Sequence, residues 1–311
     1  MASVAIDAHQ HFWVYSPAAQ TWMGPQHAPI KRDFLPRDLA PLLAAAGVGG
    51  GCVAVQASQA PAETAFLLGL AAEPLSPVRG VVGWCDLRAE PQALRAELAA
   101  LCAPGGPAAG PRGRLLVGMR HVVHDEPDDG FLLRPEFARG VAALEEFGLA
   151  YDLLLFPRHL APAAALVRSL PGVTFVLDHI AKPHVAATAA AGAGAPLAPP
   201  SWEADLRALA ALPNVACKAS GLVTEAAWGS FRDEDFDPFL DVVFDAFGRG
   251  RVMAGSDWPV CLLAADYPRT WGVLRGYMAR RGFPQADVDA VLGGNCERVY
   301  KLPPRATAAS P

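Results

Sequence analysis

Short apolar runs recur along the whole chain, and the stretches between them keep a different rhythm. The runs "SVAIDAH", "GGCVAVQ", "VRGVVGWCD", "LLVGMRHVV", "YDLLLFP", "VTFVLDHI", "VACKASG" and "RVMAGSDWPV" are rich in β-branched and aliphatic residues and predict eight strands. Between them, "PRDLAPLLAAAG", "AETAFLLGLAAE", "PQALRAELAALCA", "PEFARGVAALEEFG" and "LAPAAALVRSLPG" repeat apolar residues every three or four positions, as amphipathic helices do. Glycine or proline closes most of these stretches, a common way for a helix to end. Strands that alternate with helices pair in parallel, because a parallel neighbour is reached only through a crossover. Eight such units predict a single-domain (β/α)8 TIM barrel. The rival architecture, a doubly wound open sheet, lacks support because no glycine-rich phosphate loop follows any of the strands.

Two segments break the rhythm. "CAPGGPAAGPRG", at 102–113, and "AATAAAGAGAPLAPP", at 186–200, are low in complexity and too rich in Gly and Pro to pack regularly. The first precedes the fourth strand and predicts a loop on the bottom face of the barrel. The second follows the sixth strand, on the face where barrel active sites are built, and two readings stay open: a mobile lid or a tolerated insertion. The barrel is expected to span residues 1–303, with a disordered tail at 304–311.

Composition narrows the function classes. The 311 residues are 52% hydrophobic, as in a well-cored enzyme. With 26 Lys+Arg against 31 Asp+Glu the net charge is −5, and no dense basic stripe is present, so nucleic acid is not an expected partner. The start, "MASVAIDAHQHF", lacks the basic flank and long apolar core of a secretory signal. Polar residues interrupt it before a membrane helix forms, so the expectation is a soluble cytoplasmic protein with no membrane partner. The six cysteines lack CxxC spacing and several fall inside apolar runs, which fits a reducing compartment and gives a cysteine-based zinc site no support. A homo-oligomer remains open, because the apolar faces of the helices can cover the barrel or meet a second subunit.

Candidate chemistry gathers at the ends of the runs. Side chains alternate along a strand, so Asp7, His9 and His11 are expected to share one face, with His9 and His11 at the barrel mouth. Two histidines in HxH spacing suit a shared metal or a hydrogen-bonded catalytic network. Strand two ends in Gln56, strand three in Trp84 and Asp86, and strand four carries Arg120, His121 and His124. Strand six ends in His179 with Lys182 one turn on, and strand eight ends in Asp257 and Trp258. Polar groups at the carboxyl ends of several parallel strands are how this architecture builds an active site. Lys218, inside the apolar seventh strand, has two readings: a Schiff-base nucleophile, or a lysine reaching an acid such as Asp178 between barrel and helices. Glu225 lies just beyond that strand, and Asn295 in "GGNCERVYKL" reads as an N-cap or loop anchor.

The motifs "DAHQHFW", "GMRHVVHDEPD", "FVLDHIAKP", "CKASGL" and "AGSDWPV" resemble the amidohydrolase superfamily, and more narrowly its branch of TIM-barrel sugar-lactone hydrolases. The HxH and the strand-eight Asp carry the likeness to the superfamily, and "DHIAKP" the likeness to the branch. The resemblance implies a hydrolase that opens the ester ring of an aldonolactone such as L-fuconolactone. Asp257 would act as general base, with His9, His11 and His179 stabilising the developing oxyanion. It also implies that His9, His11, His179 and Asp257 could hold one zinc or manganese ion; a metal-free site stays equally open. The bridging ligand for two metals is missing, since strand four offers Arg120 and His121, while His159, the last residue of "LLLFPRH", reads as a helix-start residue. Gln56, Arg120, His121, His124 and Lys182 are candidates for hydrogen bonds to a sugar lactone, and Trp13, Trp22, Trp84 and Trp258 for an aromatic wall. The competing functions are a metal-dependent decarboxylase of the same superfamily and a non-catalytic barrel that binds a sugar acid.

Overall fold

Strand pairing follows chain order. The computed structural model describes residues 4–110, 113–192 and 194–303. Its main sheet runs β1 (Asp7–Gln10), β2 (Cys52–Val55), β3 (Val78–Gly83), β4 (Leu116–His121), β5 (Ala150–Leu153), β6 (Phe175–Leu177), β7 (Val215–Ala219) and β8 (Val252–Ala254). Each strand pairs in parallel with the next. The ring closes where Gln10 bridges Trp258, with His11 N donating to Trp258 O at 2.6 Å and Asp257 N to His9 O at 2.8 Å. The catalytic candidates of β1 and β8 therefore sit on the seam itself.

Helices α1 (Pro36–Ala45), α2 (Pro61–Ala72), α3 (Pro91–Cys102), α4 (Pro135–Ala143), α5 (Leu160–Ser169), α6 (Trp202–Ala210), α7 (Asp237–Phe247) and α8 (Tyr267–Arg280) follow the strands in turn. Six of them begin with proline at the first or second position, where its fixed φ suits a helix and its missing N–H costs nothing. Asn295 is a loop anchor: its amide donates to Arg249 O and Val252 O, each at 2.8 Å, and ties the terminal helical segment to the start of β8. That segment plugs the floor, where Cys296, Tyr300 and Leu302 pack beneath the inward valines of β2, β3 and β4.

The shared face expected for Asp7, His9 and His11 is corrected. Asp7 pairs with Cys52 but Gln10 with Ala54, so β1 carries one extra residue, a bulge that resets the alternation. Asp7 faces outward and accepts from Tyr267 of α8 at 2.9 Å, while Gln10, also outward, donates to Cys52 Sγ at 3.3 Å. His9 and His11 turn inward. The expected loop at 102–113 contains a two-residue hairpin, Ala109–Gly110 against Gly113–Arg114, beside Pro303 at the barrel floor. The segment 186–200 holds a short helix, Val185–Ala191, and none of its described residues lines the cavity considered below, so the lid reading finds no support. The expected tail at 304–311 lies outside the described residues. Among those described, no helix is long and apolar enough to cross a membrane.

Candidate active site

The carboxyl ends of the strands open into a cavity of about 880 Å³ whose lining includes His11, His179, Asp257, Arg120 and Lys182. Side chains are delivered there by unusual backbone. His179, Ile180, Ala181 and Lys182 all have positive φ (55°, 49°, 60° and 50°), and Asp257 has φ 59°. Left-handed residues other than glycine cost roughly 1–2 kcal/mol each, and such strain concentrates at functional sites. Gly221 makes room for His179: a Cβ there would lie 2.5 Å from its Nδ1. Asp7 braces the other side, accepting from Ser256 N at 2.9 Å and Ser256 Oγ at 2.6 Å, which holds the turn that presents Asp257.

Three imidazoles converge on one carboxylate. Asp257 Oδ1 lies 3.2 Å from His11 Nε2, 3.7 Å from His9 Nε2 and 3.9 Å from His179 Nε2. The opposite ring nitrogens are engaged behind: His11 Nδ1 with Val55 O at 2.8 Å, His179 Nδ1 with Ser220 Oγ at 2.9 Å and His9 Nδ1 with Asp178 Oδ1 at 3.2 Å. Burial raises the Asp257 carboxyl, but His179, His11 and Lys182 outweigh it and hold the group below the usual carboxylate range. Burial also pushes His9 and His179 well below the usual imidazole range, so both are neutral at pH 7. The floor thus offers an ionised base beside the neutral imidazoles of His9 and His179.

Beneath it lies a fully buried ion network. Lys218 Nζ is 2.6 Å from Asp152 Oδ2 and 3.0 Å from Asp178 Oδ1, Arg120 Nη1 is 2.9 Å from Asp178 Oδ2, and Tyr300 donates to Asp152 Oδ2 at 2.7 Å. Lys218 therefore does reach Asp178, but inside the barrel rather than between barrel and helices. With no exposed surface and two carboxylate partners it is unfit as a Schiff-base nucleophile.

Comparison with known proteins places this geometry in a family. Residues 6–302 match the amidohydrolase family model. The chain belongs to the amidohydrolase family. This amidohydrolase is 41% identical to an L-fucono-1,5-lactonase of Burkholderia multivorans over 99% of both chains. It is 38% identical to an L-fucono-1,5-lactonase of Burkholderia ambifaria, covering 96% of this chain and 95% of that one. Among solved structures it superposes with a TM-score of 0.84 on a zinc-bound amidohydrolase from Burkholderia multivorans, 41% identical, over 97% of this chain and 100% of that one.

The donor set of the amidohydrolase fits a single divalent ion. Ligand atoms of His9, His179 and Asp257 lie within 4.8 Å of one another, and His11 Nε2 is 3.3 Å from His9 Nε2. Imidazoles with engaged outer nitrogens and one carboxylate suit zinc or manganese. Among the described residues a second ion has no comparable set, and β4 sends Arg120, a permanent cation, to within 3.3 Å of His9 Nε2. His159 opens the turn before α5, where its Nδ1 accepts from Phe156 N at 3.1 Å, and it stays away from the cavity.

The structure divides the candidate substrate contacts. Arg120, His124, Lys182 and Trp22 line the cavity, as do Trp13 and Glu225. Lys182 Nζ stands 3.7 Å from Glu225 Oε1, and burial with Lys182 and Arg120 nearby lowers His124 to about 3. Gln56, Trp84, His121 and Trp258 stay outside the cavity lining. Gln56 exchanges hydrogen bonds with Arg120, and Trp258 packs edge-on against Phe12 and Phe34. His121 follows an inward residue and so points outward, stacked on Phe131 at 4.9 Å and bonded to Glu126 at 2.7 Å, with the Trp84 indole donating to it at 3.4 Å. The sequence reading missed Glu63, whose carboxylate accepts from Ala57 N at the cavity wall and is raised by burial. Its place in the first turn of α2, just after a strand end, was the signal available.

Proposed function

We propose that the protein hydrolyses a sugar lactone of the L-fuconolactone type to the sugar acid. The observation that carries this reading is the ionised, buried Asp257 facing three imidazoles at the floor of a sugar-sized cavity. The two lactonase relatives support it over nearly their whole length. Asp257 takes a proton from a water molecule as that water attacks the lactone carbonyl carbon. Positive and hydrogen-bonding groups around the floor, Arg120 and the imidazoles, favour the charge that develops on the carbonyl oxygen. As the ring C–O bond breaks, Asp257 returns its proton to the leaving alkoxide. A divalent ion held by His9, His11, His179 and Asp257 would, when bound, polarise the carbonyl and acidify water.

Above the floor, Trp13, Trp22 and the half-exposed Trp228 offer ring faces, while Glu63, Asp125 and Glu225 offer acceptors for sugar hydroxyls. The test is a panel of aldonolactones followed by proton release, run with and without a chelator so that the ion's contribution is read separately. Opening of L-fuconolactone well above the buffer rate is expected, with kcat lowered roughly 10²–10⁴-fold in Asp257→Asn. No lactone opened, or full turnover in that variant, refutes the reading.

A further inference from the structure

Lys182 has no part in the reaction just described, and Glu225 enters it only as one of several acceptors. Both line the cavity, beyond the ends of β6 and β7, with Lys182 Nζ 3.7 Å from Glu225 Oε1. Their side chains are only 18% and 21% exposed. At that distance the charges attract, yet neither side chain makes a hydrogen bond to another described residue. The other acids and the arginine of the cavity wall are engaged. Arg120 donates to Asp178 at 2.9 Å, Glu63 accepts from Ala57 N, Asp125 lies 3.3 Å from His124, and Asp257 lies 3.2 Å from His11. Charged groups whose hydrogen bonds are unfilled must find partners on a ligand that drives out the water between them, or carry a desolvation cost.

We propose that Lys182 and Glu225 together read the hydroxyl at C2 of the lactone, the carbon next to the carbonyl. An ammonium only donates and a carboxylate only accepts, so the pair calls for one group that does both, as a hydroxyl does. Its oxygen, set to one side of the 3.7 Å gap, comes within hydrogen-bond distance of both. A substrate carboxylate there would be repelled by Glu225 and an amine by Lys182, so an uncharged, hydroxylated lactone is the fitting class. The position on the sugar follows from the neighbours. Lys182 lies three residues after His179 and joins His179 and His11 in lowering Asp257 against its burial. Burial raises Glu225, Lys182 lowers it, and Asp257 raises it again. The pair therefore stands within electrostatic reach of the proposed base, over which the carbonyl carbon must lie. Only two ring atoms adjoin that carbon: the ring oxygen, which cannot donate, and C2 with its hydroxyl. This assignment rests on the lactonase reading above and narrows it to lactones that carry a 2-hydroxyl.

The test compares L-fuconolactone with its 2-deoxy form, in the full-length wild type and in the double variant Lys182→Met/Glu225→Met. That variant removes one charge of each sign and keeps both side-chain stems, so it is expected to fold. The intrinsic reactivities of the two lactones cancel when their kcat/KM ratio is compared between proteins. The wild-type ratio is expected to exceed that of the double variant by roughly 10–100-fold. A ratio that moves less than about threefold overturns the proposal. So does an equal shift in the preference between L-fuconolactone and L-galactonolactone, which differ only at C6, because it means that the whole wall has loosened. If the chain opens no lactone, or the variant turns over too slowly to read, calorimetric binding of L-fuconolactam against its 2-deoxy form makes the same comparison without a reaction. Binding that prefers the 2-hydroxyl only while the pair is present supports the assignment, and in a chain that opens no lactone it does so while refuting the lactonase reading. Equal binding of the two lactams, or binding of neither, overturns it.

Discussion

Asp7 shows how much one buried carboxylate does without reaching the cavity. It accepts four hydrogen bonds, from His9 N, Ser256 N, Ser256 Oγ and Tyr267, yet burial outweighs them and raises its pKa to about 6 from 3.8. A folded-state pKa above the unfolded one means that the folded chain favours the proton. Its stabilising contribution is complete below pH about 4 and is lost as the pH rises through about 6, a swing of about 3 kcal/mol. Asp7→Asn removes that titration, so urea unfolding at pH 4 and pH 8 should find wild type losing about 3 kcal/mol relative to the variant between the two. A difference that does not change with pH contradicts the assignment. The sequence showed His9, His11, His179 and Asp257, the quartet proposed for catalysis, because each member stands at the end of an apolar run. It hid the difference between neighbours such as Arg120 and His121, one inward and one outward, although alternation alone forbids both from entering the mouth. Lys218 was legible as a charge inside an apolar run, but its pairing with Asp152 needed the closed barrel to bring β5 and β7 around one interior.

At the level of elements, strand order and helix order follow from the alternating patterns, while the bulge in β1 does not. Nothing in "AIDAHQHFW" marks an extra residue, because each of its positions is buried on one side of the strand or the other. The turn after β6 was equally hidden, since four consecutive left-handed residues without glycine run against local preference. That turn depends on its neighbour after β7, where Gly221 fills the space beside the His179 ring. Gly221→Ala adds a methyl within 2.5 Å of His179 Nδ1 at a position whose own φ is +58°, so strain and clash act together. The expected result is a loss of about 1–3 kcal/mol in stability and a kcat reduced at least tenfold. Thermal unfolding and steady-state kinetics read the two effects separately, and a fully active Gly221→Ala protein would show that the His179 position is slack.

On the scale of the whole molecule, one end of the barrel works and the other is sealed. Leu302 closes the floor beside Tyr300, under Gly80 and Val117 of β3 and β4. Leu302→Ala should cost about 2–4 kcal/mol in denaturant unfolding and leave KM for a lactone unchanged, because the cavity wall lies at the opposite end. A raised KM would mean that floor and mouth are mechanically linked. The seal also bears on how the protein is made. A ribosome delivers all eight strands before Cys296, Tyr300 and Leu302 leave the exit tunnel, so a growing chain holds a floorless barrel whose lysine and aspartates are open to water from below. The final short segment is thus what dries the interior. Nascent chains halted after β8 are the form in which chaperones and proteases would find this protein most vulnerable.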